Sequence, residues 1–253
     1  MSDAPLTIVT GATGAIGSAT ARRLAADGGR VALVARDAER LAEVAATLPA
    51  GSAIVEAADP VDAAALDAAF GAIAERAGPP TGLVHAVGNT LLKPLHSLSD
   101  AEIDGVLAVN LLSAMRALRA FVRVVPREQP AAALLFSSAA ARIGLVNHEA
   151  IAAAKAGNAG LVVASAATSA GRGIRVTANA PGLVRSGLTR RLVENPAVLK
   201  ASEVMHPLGR VGEADDVAAL AALLVSPATA WVTGQTIGID GGLAAIKQPP
   251  RMA

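Results

Sequence analysis

The sequence predicts an α/β protein built on a doubly wound, mostly parallel sheet of seven strands with helices on both faces. Three observations carry that expectation. Short apolar runs alternate with longer stretches of helical period along the 253 residues. The runs show little polar alternation, as do strands covered on both faces. A turn of small residues, Thr10-Gly11-Ala12-Thr13-Gly14-Ala15-Ile16-Gly17, lies between the first run and the first helical stretch.

Taken in order, strand 6–10 runs into that turn and helix 16–27 leaves it. Strand 31–35 ends at Arg36-Asp37 and precedes helix 38–48. Strand 53–57 is followed by Asp59 and helix 62–77, and Pro79-Pro80 marks a loop boundary before strand 83–87. Helix 101–125 leads to strand 133–137, and helix 149–171 to strand 175–180. The last pair is helix 215–225, closed by Ser226-Pro227, and strand 236–240, with Pro249-Pro250 marking a tail. Right-handed crossovers through the helices wind the sheet both ways from its middle. No internal repeat or low-complexity linker divides residues 1–253, so one domain is expected. Segment 183–211 interrupts the alternation: Pro196 and Pro207 break a mixture of charges with Leu188, Leu192, Val198, Leu199 and Met205. An insertion leaving the carboxyl end of a late strand overlies the ligand crevice, which predicts a substrate lid. A surface helical excursion is the plainer alternative.

Composition excludes several function classes. Apolar residues make up 53% and charged residues 17%, enough for a sizeable core. Lys and Arg number 22 against 21 Asp and Glu, too balanced for a dedicated binder of nucleic acid or anionic membrane. With no cysteine there are no disulfides or thiol nucleophiles, and the four His have no metal-ligand spacing. The most apolar stretch, 217–225, is nine residues long, and the N-terminus lacks a basic then apolar leader. A cytoplasmic protein acting on a small molecule is expected. Tyrosine is also zero, so no side chain can act as a phenolic acid.

The turn 10–17 lets a backbone approach a pyrophosphate, and the helix start supplies free N–H groups and a positive dipole end. A plain tight turn is the alternative. Arg36, ending the second strand, suits a 2′-phosphate and favours NADP over NAD; a solvated turn arginine is the competing reading. Asp59 can reach an adenine amino group or serve as a helix N-cap.

With these residues in view, the chain resembles the single-domain short-chain dehydrogenases/reductases over essentially its whole length. Thr10–Gly17 looks like their TGxxxGxG turn with Ala15 in place of the middle glycine, and His85-Ala86-Val87-Gly88 sits where they carry Asn-Asn-Ala-Gly. Asn110, Ser137-Ser138, Pro181-Gly182, and the stretches 207–218 and 233–242 also match. The resemblance implies a Rossmann-type fold, a homotetramer or homodimer, and nicotinamide cofactor contacts. Those contacts fall on Gly11, Thr13, Gly14, Ala15, Ile16, Gly17, Arg36, Asp59, Pro60, Ala86, Gly88, Lys155, Pro181, Gly182, Val184 and Ser186.

By the same resemblance Ser138 binds the substrate oxygen, Lys155 holds the nicotinamide ribose and Asn110 anchors a relay water. The family's Tyr-x-x-x-Lys places its tyrosine at position 151, counted forward from Ser138 or back from Lys155, and this chain has Ile151. His148 is the nearest replacement: positions 148, 151 and 155 share one helix face, while Glu149 is rotated away. In enoyl-thioester reductases of the family the tyrosine lies seven residues before the lysine, which here is His148. A local helix-start role is the plainer reading of His148, a turn hydroxyl that of Ser138, and a solvated helix lysine that of Lys155. The function expected is an NADP(H)-dependent carbonyl/alcohol oxidoreductase, with a C=C reductase using His148 and a catalytically silent NADP-binding protein as the alternatives. Substrate choice lies in loop 89–95 and in segment 183–211.

Overall fold

The computed structural model describes residues 4–247, and among them seven parallel strands form one sheet in the order β3-β2-β1-β4-β5-β6-β7. These are β1 Leu6–Thr10, β2 Arg30–Ala35, β3 Ala53–Ala57, β4 Gly82–His85, β5 Ala131–Phe136, β6 Ile174–Pro181 and β7 Thr236–Ile239. The chain starts mid-sheet, winds out to β3, then resumes beside β1 and winds the other way to β7. Strand order therefore reverses between β1 and β4, and the loops leaving their carboxyl ends part to open a crevice. Thr10 and His85 are paired across that reversal.

Adjacent residues of one strand enter opposite layers, which explains the continuously apolar runs. Ile8, Ala32, Leu83 and Val176 face Leu66 and Phe70 of α3 (Ala63–Ala77), Phe121 of α5 (Ser113–Val124) and Val162 of α6 (Glu149–Ser169). Val9, Leu33, Val84 and Leu134 face Ala21 of α1 (Ala15–Ala26), Leu41 of α2 (Ala38–Ala46) and Val217 of α9 (Ala214–Val225). Stretches Asp100–Val124 and Glu149–Arg172 are long and apolar enough to cross a bilayer. In this fold their residues Ala114, Phe121, Val162 and Ala166 pack in the core.

Three expectations are corrected. The stretch 101–125 is not one helix: α4 (Asp100–Leu107) and α5 are separated by a π turn, Ala108–Leu112. That string contains no breaker, so periodicity runs through it unmarked. Strand 83–87 ends at His85, where Ala86 N–H donates to the Thr10 carbonyl at 2.9 Å and the chain turns away. Strand 133–137 begins earlier, at Ala131. Segment 183–211 holds α7 (Arg190–Val193) and α8 (Pro196–Met205), neither with a buried residue. Trp231, the sole tryptophan, is fully exposed between α9 and the edge strand β7. Pro249-Pro250 lies outside the described residues.

Phe121 is fully buried against the sheet. Phe121→Ala is expected to lower the unfolding free energy by about 3–5 kcal/mol, read from urea unfolding curves.

Candidate active site

The crevice is built first by the absence of side chains. Gly11 has φ +71°, and a Cβ there would come 2.5 Å from the Ala86 carbonyl oxygen; a Cβ on Gly17 would collide with the Gly11 carbonyl. The turn after β1, the turn after β4 and the first turn of α1 therefore nest backbone to backbone. Gly14 caps α1 with no side-chain acceptor, so the first-turn N–H groups are left for an anion. Thr13, Ala15 and Ile16 are half-buried around them. This cradle fits a pyrophosphate.

At the end of β2, Arg36 is exposed. Asp37 caps α2, its Oδ1 accepting the Arg40 N–H at 3.1 Å, and Arg40 Nη2 donates to the Thr13 carbonyl at 3.2 Å. Arg40 was not singled out from the sequence; only its place in the first turn of α2 marks it. The N-cap reading of Asp59 is overturned. Asp62 caps α3, while Asp59 Oδ1 accepts from Val61 N–H at 2.9 Å in a tight turn. Pro60 is buried beside it.

His85 forms the floor. Ser113 Oγ donates to the Val109 carbonyl at 2.6 Å, so its oxygen accepts from His85 Nε2–H at 2.9 Å. Nδ1 then accepts from the Thr10 hydroxyl at 2.7 Å. Both ring nitrogens are satisfied with the ring neutral. Burial, helped by the positive charge of Lys155, lowers the pKa of the ring to about 3. The residue standing where the family has asparagine thus ties β1 to the start of α5.

The π turn delivers Asn110 inward, 1% exposed. Its Nδ2 donates to Asn89 Oδ1 at 2.6 Å and to the Val106 carbonyl at 3.0 Å, and its Oδ1 accepts from Asn89 N–H. Lys155 is not a solvated helix lysine: it is buried, and Nζ donates to the Phe136 carbonyl at 3.2 Å. Burial lowers its pKa to about 8. A Cβ on Gly88 would lie 3.1 Å from Asn110 Oδ1 and 3.5 Å from Lys155 Nζ, so these three residues converge. Asn158, missed from the sequence, donates through Nδ2 to the Asn110 and Phe136 carbonyls, both at 2.9 Å.

Ser137 Oγ donates to the Lys155 carbonyl at 2.9 Å, locking β5 to α6. Ser138 Oγ accepts from Ala140 N–H at 3.1 Å, as a turn hydroxyl does, and is half-buried. Ile151 is buried in an apolar cluster with Val106, Ala150 and Ala154, packed by Leu91, Leu98, Leu107 and Leu111. Position 151, where the resemblance counts to the family's tyrosine, is therefore surrounded by hydrocarbon. His148 is half-buried at the N-cap of α6, and its Nδ1 bonds the Val146 carbonyl at 2.7 Å, within its own loop. Pro181, ending β6, and Gly182 after it are half-buried, Val184 is buried and bridged to Gly212, and Ser186 Oγ meets Thr189 Oγ1 at 3.0 Å.

Sheet order and glycine turn define a Rossmann-type α/β protein. Residues 11–244 match a family described as enoyl-(acyl carrier protein) reductase. The chain is 37% identical to galactitol 2-dehydrogenase (L-tagatose-forming) of Cereibacter sphaeroides over 95% of each chain. It is 32% identical to inactive 2-(S)-hydroxypropyl-CoM dehydrogenase 2 of Xanthobacter autotrophicus, covering 89% of this chain and 100% of that one. It also superposes on the crystal structure of an actinorhodin polyketide ketoreductase variant with NADPH at TM-score 0.89, with 26% identity over 96% of this chain and 98% of that one. The chain belongs to the short-chain dehydrogenase/reductase family, whose members bind nicotinamide cofactors.

Folded His85 stays neutral to about pH 3, whereas an unfolded imidazole is protonated below about 6.5. Between those values the unfolded chain holds more protons, so stability falls with falling pH by up to about 1.4 kcal/mol per unit. His85→Asn, which does not titrate, should lack that component. Urea unfolding at stepped pH is expected to show the stability difference between parent and variant shrinking from pH 6.5 towards 3. Parallel curves would remove His85 from the acid response.

Proposed function

We propose that this protein is an NADP(H)-dependent oxidoreductase moving hydride between the nicotinamide and the carbonyl or alcohol of a small molecule. The convergence of Gly88, Asn110 and buried Lys155 on one crevice carries the reading. The bound nicotinamide supplies the hydride chemistry. The chain's own residues bind, orient and manage the proton.

The N–H groups of the turn Gly11–Gly17 would hold the pyrophosphate, and Lys155 would hold the nicotinamide ribose. Arg36 and Arg40 offer two guanidinium groups where a 2′-phosphate would lie, while Asp37 is engaged as the cap of α2. Ser138 binds the substrate oxygen. Ile151 can neither donate nor accept, so the proton falls to His148. Its Nδ1 faces a carbonyl and therefore carries hydrogen, which makes Nε2 the atom that exchanges a proton. Bare, Nε2 takes the proton of an alcohol being oxidised; protonated, it returns one to the oxygen of a carbonyl being reduced. Segment 183–211 closes over the substrate as a lid, and the working form is a homotetramer or homodimer.

A second reading, reduction of a conjugated C=C bond, is supported by the description of the matched family and by the seven-residue spacing of His148 and Lys155. The inactive relative keeps a third, silent reading in play. Assays with NADPH, a 2-enoyl thioester and a broad carbonyl panel that includes a 3-oxo thioester distinguish all three: carbonyl turnover, enoyl turnover, or binding with neither.

In such assays His148→Ala is expected to lower kcat/KM by about 10²-fold or more. Equal rates in variant and parent would dismiss the imidazole. Arg36→Asp is expected to raise the KM for NADPH relative to NADH by about 10-fold or more, the scale of one charge-assisted hydrogen bond, with Arg40→Ala shifting it the same way.

A further inference from the structure

Segment 183–211 is held down in an unusual way. From residue 185 to residue 210, His206 is the one buried position among the described residues, 3% exposed at the C-cap of α8. The helix before it has no fully buried residue, only half-buried ones such as Leu199, so hydrophobic packing alone holds it loosely.

His206 Nδ1 lies 2.7 Å from the Ser202 carbonyl, one turn back in α8, and therefore carries a hydrogen. Nε2 accepts the Leu183 N–H at 3.2 Å. Leu183 follows Pro181-Gly182, so this bond crosses from the far end of the segment to its beginning. The approach is close: a Cβ on Gly182 would come 2.5 Å from Nε2 and 3.1 Å from Asp240 Cα. The chain beyond the ring is pinned as well, with Leu208 N–H donating to the Gly241 carbonyl at 3.1 Å.

The ring adjoins a cavity of about 190 Å³ that Arg210, Asp216 and Asp240 also line. Each of these charges has its partner elsewhere. Arg210 pairs with Asp216, and the Asp240 carboxylate accepts from Gly242 and Ala244 N–H, both at 3.0 Å. Both hydrogen bonds of the His206 ring therefore go to backbone, in a pattern only a neutral ring can make. A protonated ring would set a second N–H against that of Leu183.

We propose that His206 is a positioning residue, a latch that fastens segment 183–211 to the Gly182-Leu183 turn and so sets both the closure of the segment and the shape of the turn beside the nicotinamide. The latch is a property of the fold; its link to the nicotinamide rests on the reading given above.

Hydrogen exchange on the cofactor-free protein tests it directly. Losing the acceptor in His206→Leu should speed exchange of the Leu183 amide by about tenfold or more and speed tryptic cleavage at Arg190 and Arg191, with exchange in β5 unchanged. His206→Gln, which can donate through Nε2 and accept through Oε1, should recover most of the protection. In the loaded enzyme the Leu variant should raise the KM for substrate more than it lowers kcat. Equal Leu183 exchange in parent and Leu variant, or a Gln variant no better than Leu, overturns the latch. Should the Leu variant fail to fold, ¹⁵N spectra of the parent's ring decide the matter. Hydrogen on Nδ1 with Nε2 bare supports the proposal, and the opposite tautomer or a charged ring ends it. If exchange behaves as expected while no carbonyl is turned over, the latch stands and the catalytic reading falls.

Discussion

Where β1 and β4 part, two backbones must diverge from a shared register and still hold still enough to bind. The bridge across that point is His85. It takes the hydroxyl hydrogen of Thr10, immediately before the glycine turn, and gives its own to Ser113, immediately after the π turn. One neutral ring thus couples the pyrophosphate cradle to the segment that presents Asn110. A charged ring could not accept from Thr10, so the same desolvation that makes the group expensive to protonate also preserves the geometry.

Around that bridge one wall of the crevice is polar and the other apolar. Lys155 remains buried, held by the Phe136 carbonyl and locked through Ser137 to the end of β5. Asn158, on α6, joins the π turn to the end of β5 by donating to the Asn110 and Phe136 carbonyls. The opposite wall is hydrocarbon, with Ile151 among leucines from the 89–98 loop, α4 and the π turn. That packing leaves no hole at position 151, so a tyrosine there would have to displace buried neighbours such as Val106 and Ala154.

The alternation of runs and helical stretches was legible because every strand except those at the edges is buried on two sides, and burial on two sides writes continuous apolarity into the sequence. The glycine turn was legible because its close approaches tolerate no Cβ at Gly11 or Gly17. The π turn was not, since its extra residue changes a hydrogen-bond ladder and leaves composition untouched. Lys155 could be placed on a helix face but its burial could not, because depth depends on Asn110 and Phe136 arriving from elsewhere. Arg40, Asn158 and His206 escaped notice for the same reason. Their partners Thr13, Asn110 and Leu183 lie 27, 48 and 23 positions away, distances that no local pattern encodes.

Trp231 stands alone at the rim beside β7, in a chain without tyrosine. Ultraviolet emission from this protein therefore comes from a single indole bathed in solvent, with three phenylalanines contributing almost nothing. A blue shift on concentration would mean that something has covered that one corner, which gives the molecule a built-in optical reporter of association at its sheet edge.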